Sequence, residues 1–74
     1  MRFCVIKASR KFDGHGYQGP SLKFAGYPES SPAEFVLLEE AKFCAQRLDV
    51  ANPVGWQIFD RELGPDAAPV YRTV

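Results

Sequence analysis

Ten consecutive residues, Arg10-Lys11-Phe12-Asp13-Gly14-His15-Gly16-Tyr17-Gln18-Gly19, bring together two cations, two aromatic rings, the one histidine of the chain and three glycines. Glycine reaches positive φ without steric penalty, so the run reads as a loop. Cations beside aromatic rings have the chemistry of a contact surface: the charges draw an acidic partner and the rings supply apolar area. Gly14 to Gly19 also spells G-x-G-x-x-G. A dinucleotide site needs a strand before that turn and a helix after it, within a βα unit that is then repeated. A strand does precede, but Pro20 and a strand-like Ser21 to Tyr27 follow, and no second βα unit exists. The fingerprint is therefore set aside, which leaves a bare anion nest of loop amides beside Arg10 and Lys11.

No catalytic constellation can be assembled from the other reactive groups. His15 has the chemistry of a general base, but nothing in a glycine-rich loop fixes its orientation. A thiol partner for it would have to come from Cys4 or Cys44, both set in apolar segments that read as reduced core. Those two thiols and one histidine do not complete a tetrahedral zinc site, so neither metal nor cofactor is expected. Glu39 and Glu40 are adjacent on a helix and point apart, as solvated helix charges do. The reading is of a binding protein, not an enzyme.

Charge and length narrow the class further. Formal net charge is zero over 74 residues, enough chain for one small domain, residues 1–74. The distribution is uneven: Arg2, Lys7, Arg10, Lys11 and Lys23 stand against Asp13 alone in residues 1–27, a local charge of +4. Residues 28–49 carry −3 and the remainder −1. Such a bipolar molecule steers toward a charged partner. No apolar run approaches the roughly 20 residues that span a bilayer, and the N-terminus lacks the apolar length of a signal peptide. A cytoplasmic location is expected.

These groups need a scaffold. Residues 2–8 alternate as a strand, with Cys4, Ile6 and Ala8 on one face and Phe3, Val5 and Lys7 on the other. A second strand is expected over about 21–27, making an antiparallel hairpin with the basic loop between its arms. Ser31-Pro32-Ala33-Glu34 reads as a capping box with proline at the first helical position. The helix it would open runs to about Leu48 and packs through Leu37, Ala41, Cys44, Ala45 and Leu48. Val36 and Phe43 fall on its far side, near Glu40 and Arg47. Val54 to Asp60 and Val70 to Val74 read as a second hairpin around the turn chemistry of Gly64-Pro65-Asp66. The expectation is an α+β domain of order ββαββ, one helix on a four-stranded, mainly antiparallel sheet.

Two surfaces are candidates for partner binding. The first is the basic hairpin, with Lys7, Arg10, Lys11, Phe12, His15, Tyr17 and Lys23. The second is the outer helix face bearing Val36, Glu40, Phe43 and Arg47. In length, and in the run from Met1-Arg2-Phe3-Cys4-Val5-Ile6-Lys7 through the basic loop, the chain resembles the small transcription regulators of lytic Xanthomonas phages that bind the host RNA polymerase. The resemblance implies non-catalytic control of transcription. It also implies docking on the polymerase, at the largest (β′) subunit, with inhibition of initiation and promotion of antitermination. Two other classes compete. One is a small nucleic-acid-binding module, although the chain is neutral and lacks an RNP-type run of aromatics. The other is a phage inhibitor of a host nuclease or defence protein.

Overall fold

The computed structural model describes residues 1–73. Strand β1 (Phe3–Lys7) is central, and the sheet is completed by β2 (Glu34–Phe35), β3 (Trp56–Asp60) and β4 (Tyr71–Arg72). The order across the sheet is β2-β1-β3-β4, and every neighbouring pair is antiparallel. Two helices, α1 (Pro20–Phe24) and α2 (Leu38–Ala51), complete the regular elements, with a single 3-10 turn at Arg61–Leu63. The α+β class holds, with one main helix on a four-stranded antiparallel sheet, and the short α1 between β1 and β2 is an addition to the expected order. Val74, which the sequence places at the end of the last strand, lies outside the described residues.

The core forms where α2 crosses the sheet. Phe3 and Val5 of β1 and Trp56 and Ile58 of β3 share one face by strand alternation, and Ala41, Cys44, Ala45 and Leu48 share one face of α2. Ala41 and Ala45, four residues apart, keep that helix face thin and let it approach the bulky Trp56. Burying an indole leaves its N–H in need of a partner. Trp56 Nε1 donates to Asn52 O at the C-terminus of α2, 2.9 Å away. Asn52-Pro53 ends the helix, three residues later than the expected Leu48.

The expected second strand over 21–27 is not one. Pro20 occupies the first turn of α1, and Leu22 and Ala25 are both buried, an i, i+3 spacing that a strand cannot give. Phe24, expected to share a face with Leu22, is 77% exposed. The next strand in sequence to pair with β1 is β2, with Phe3 opposite Phe35 and Cys4 opposite Glu34.

That pairing also overturns the capping box. Ser31 to Ala33 are irregular, with bends at Ser31 and Ala33, and α2 begins after Leu37, whose backbone is extended and whose side chain makes no cap. Leu37 is 59% exposed instead of facing the sheet. Glu34 is held elsewhere: its Oε2 accepts the Gly16 N–H at 2.9 Å and its Oε1 lies 3.1 Å from the Arg61 guanidinium. Those partners satisfy the carboxylate better than a solvent-exposed cap would. Glu39 and Glu40 supply the acidic first turn that the helix dipole favours.

The opposite sheet face is covered by the basic loop, an arrangement the sequence reading did not contain. The Phe12 ring stacks on Phe59, centroids 4.7 Å apart and planes within 2°. Gln57, buried on the same face, donates Nε2 to the Lys7 and Arg10 carbonyls at 3.3 and 3.2 Å. Both faces of β1 and β3 are thus buried, one under α2 and one under a loop.

Candidate functional site

The loop is positioned by backbone bonds that use its own amides. Arg10 N donates to Lys7 O at 3.0 Å, closing the turn that leaves β1. His15 N donates to Asp13 Oδ1 at 3.1 Å, and Gly14 between them takes φ of 93°, a conformation that favours glycine. Tyr17 N donates to Val5 O at 2.7 Å and Ala33 N donates to Tyr17 O at 2.8 Å, so the loop end is stitched between β1 and the start of β2. At Gly16 the chain passes so close to Ala33 that a Cβ would collide with the Ala33 carbonyl. The amides of His15, Gly16 and Tyr17 are all engaged internally, so these three are not free to line an anion nest. A helix does follow the glycines, contrary to expectation, but it is only five residues long.

These constraints shape a cleft of about 310 Å³. Ile6 lies among its walls, and Lys7, Arg10, Lys11, His15 and Tyr17 line it with Asp13. Five of the seven residues expected on the basic surface are therefore brought together. Among the described residues, no carboxylate lies within ion-pair distance of Lys7, Arg10 or Lys11. Three cations line the cleft against the one carboxylate of Asp13, an excess of positive charge.

The remaining expectations for this surface need correction. Phe12 turns inward and stacks on Phe59, half-buried, so one face of its ring is engaged in packing and it does not line the cleft. Tyr17 lines the cleft, but its ring meets Trp56 edge-on at 4.9 Å, carries Lys7 Nζ at 5.6 Å, and accepts the Ser21 N–H at its hydroxyl. Its aromatic area is largely spent on the core. Lys23 is exposed on α1 and does not line the cleft.

The second candidate surface lies along the outer side of α2. Phe43 is 56% exposed and the Arg47 guanidinium sits over its ring at 5.5 Å. Arg47 Nε also donates to Ala25 O at 2.6 Å, tying α1 to α2. Phe24 and Val50, 88% exposed, join Phe43 around a groove of about 390 Å³. A second groove of about 320 Å³, bordered by Tyr27, Phe35 and Glu40, lies on the other side of Phe43. The sequence reading missed Phe24 by placing it in a strand and Val50 by ending the helix early. The spacing of seven from Phe43 to Val50 was the available signal; Val36, expected on this helix face, precedes the helix, which begins only at Leu38.

At the far end of β1 the charges are paired. Arg2 makes two hydrogen bonds to the Asp60 carboxylate, at 2.8 and 3.0 Å, and Arg61 Nε reaches Gly14 O at 2.9 Å. The Arg2 hydrogen bond holds the Asp60 carboxyl below its ordinary range. Burial raises the Cys4 thiol and pushes Cys44 up to about 11, so both stay protonated at neutral pH. Both cysteines are free. Among the described residues no cluster of three or more histidine, cysteine or acidic side chains is placed to hold a metal ion, and no helix is long and apolar enough to cross a membrane. Comparison with protein-family models, with curated proteins and with solved structures finds no match to this chain.

Proposed function

We propose that the chain is a non-catalytic regulator that binds host bacterial RNA polymerase in the host cytoplasm, restrains initiation and favours antitermination. The basic cleft is the docking surface and an acidic patch of the largest (β′) subunit its target. The partner is taken from the resemblance stated above. The observation that carries the reading is the gathering of Lys7, Arg10 and Lys11 around one cleft with no carboxylate paired to them among the described residues. Elsewhere Arg2 and Arg61 are consumed by internal ion pairs, so these three charges are disposed for an outside partner.

The same charges favour a second reading, binding to nucleic-acid phosphates. Weighing against it, the Phe12 and Tyr17 rings are engaged with Phe59 and Trp56, so the bases of a single strand lose two stacking platforms. The test is binding of the purified chain to purified polymerase in the absence of DNA, beside a promoter and terminator transcription assay. The proposal expects capture and altered transcription. Binding to duplex or single strands with a steep salt slope, and none to polymerase, would replace it with the second reading.

A further inference from the structure

Phe43 and Val50 of α2 are spaced seven apart and both are exposed, while Val36, also exposed, precedes the helix, which begins at Leu38. Seven residues is close to two helical turns, so Phe43 and Val50 share one stripe of α2, and Glu40 and Arg47 share a parallel stripe beside it. The pattern reads similarly from either end. Phe43 lies at the centre, and an acid before it is matched by a base after it.

We infer that the outer face of α2 is a self-association surface, taking α2 of a second copy of this chain antiparallel across a two-fold axis near Phe43. In that arrangement the two Phe43 rings meet at the axis. Val50 meets the groove beside Tyr27 and Phe35 of the second copy, and Arg47 faces Glu40 of the second copy. Arg47 and Glu40 have no ion-pair partner among the described residues, although Glu39 beside them pairs with Lys42 at 3.7 Å. The charge complement each of the two requires is thus supplied by the same surface turned about, which is the condition for a closed, isologous dimer. The grooves on either side of Phe43, with Phe24 bordering one and Tyr27 and Phe35 the other, give the apolar ends of the second helix a place to seat. The surface is distinct from the basic cleft, so a dimer leaves both clefts open.

Sedimentation of the intact chain from about 1 µM to about 1 mM, the range of weak and moderate complexes, tests the inference. A reversible monomer–dimer equilibrium is expected. Phe43→Ser should weaken it at least tenfold, as should Glu40→Lys, which sets like charges against each other. Arg47→Glu should do the same, and an equimolar mixture of the Glu40→Lys and Arg47→Glu chains should dimerise where neither does alone. If Arg47→Glu does not fold, the parent, Phe43→Ser and Glu40→Lys decide the matter, since Phe43 and Glu40 are exposed. A parent that remains monomeric throughout would overturn the inference, as would variants that associate like the parent. Loss of polymerase binding by Phe43→Ser with a monomeric parent would assign the face to the polymerase instead.

Discussion

Replacing Phe12 by alanine separates a packing ring from a docking ring. A fully buried phenylalanine costs about 3–5 kcal/mol on truncation to alanine. Phe12 is half-buried, so roughly half of that applies, and the stacked pair with Phe59 contributes about 0.5–1.5 kcal/mol of it. A loss of about 2 kcal/mol is expected. For a domain of this size it corresponds to a fall in Tm of about 8–16 °C. With a urea slope near 1 kcal/mol/M it moves the midpoint by about 2 M. The assay is urea denaturation of Phe12→Ala, Phe59→Ala and the double variant. The cycle should return a coupling of about 0.5–1.5 kcal/mol. Dissociation from polymerase, measured well below the variant's melting temperature, should be unchanged. A stability loss under about 0.5 kcal/mol with no coupling would refute the stacking argument. Faster dissociation by a still-folded variant would return Phe12 to the binding surface.

Ser31→Ala should change stability by less than about 0.5 kcal/mol, because Ser31 caps no helix; a loss of about 1 kcal/mol in denaturation would place the helix start there after all. Thiol titration should find two slow groups in the native protein and two fast ones once it is unfolded without reductant, and fewer than two after unfolding would reveal a disulfide. Asp60, whose folded carboxyl is depressed by Arg2, stabilises the fold above the unfolded carboxyl value of about 3.9, and that contribution is lost as pH falls through the lower folded value. Asp60→Asn should therefore lower stability at neutral pH and flatten the acid limb of the stability curve, and an acid limb identical to the parent's would remove the Arg2–Asp60 pair from the account.

Elements whose pattern has one physical solution were legible in the sequence. β1 alternates over five residues, the inner face of α2 repeats small and apolar residues at helical spacing, and Gly64-Pro65-Asp66 marks the return to β4. Pro20 to Ala25 has two solutions. Leu22 and Phe24 fit a strand, Leu22 and Ala25 fit a helical turn, and the choice is made by packing against α2 through Ala25 and Arg47. The capping box failed for a similar reason. Ser-Pro-Ala-Glu is locally a good helix start, but the Glu34 carboxylate is claimed by Gly16, 18 residues earlier, and by Arg61. Such distant partners leave no local trace, and neither does the Arg2–Asp60 pair, 58 residues apart. At the candidate site the cations were legible as a cluster because they are close in sequence. The inward turn of Phe12 was not, because Phe59, its partner, belongs to the other half of the chain.

The central claim is that the basic cleft steers this chain onto polymerase. The direct measurement is the association rate of the Arg10→Glu/Lys11→Glu double variant with immobilised polymerase across a salt series. Both side chains are exposed and hold no ion pair among the described residues, so the variant should fold like the parent. Reversing charges at a rim acts chiefly on encounter. The account predicts slower association, a shallower salt dependence, and weaker inhibition in the promoter assay. Association and inhibition equal to the parent's at every salt concentration would contradict it.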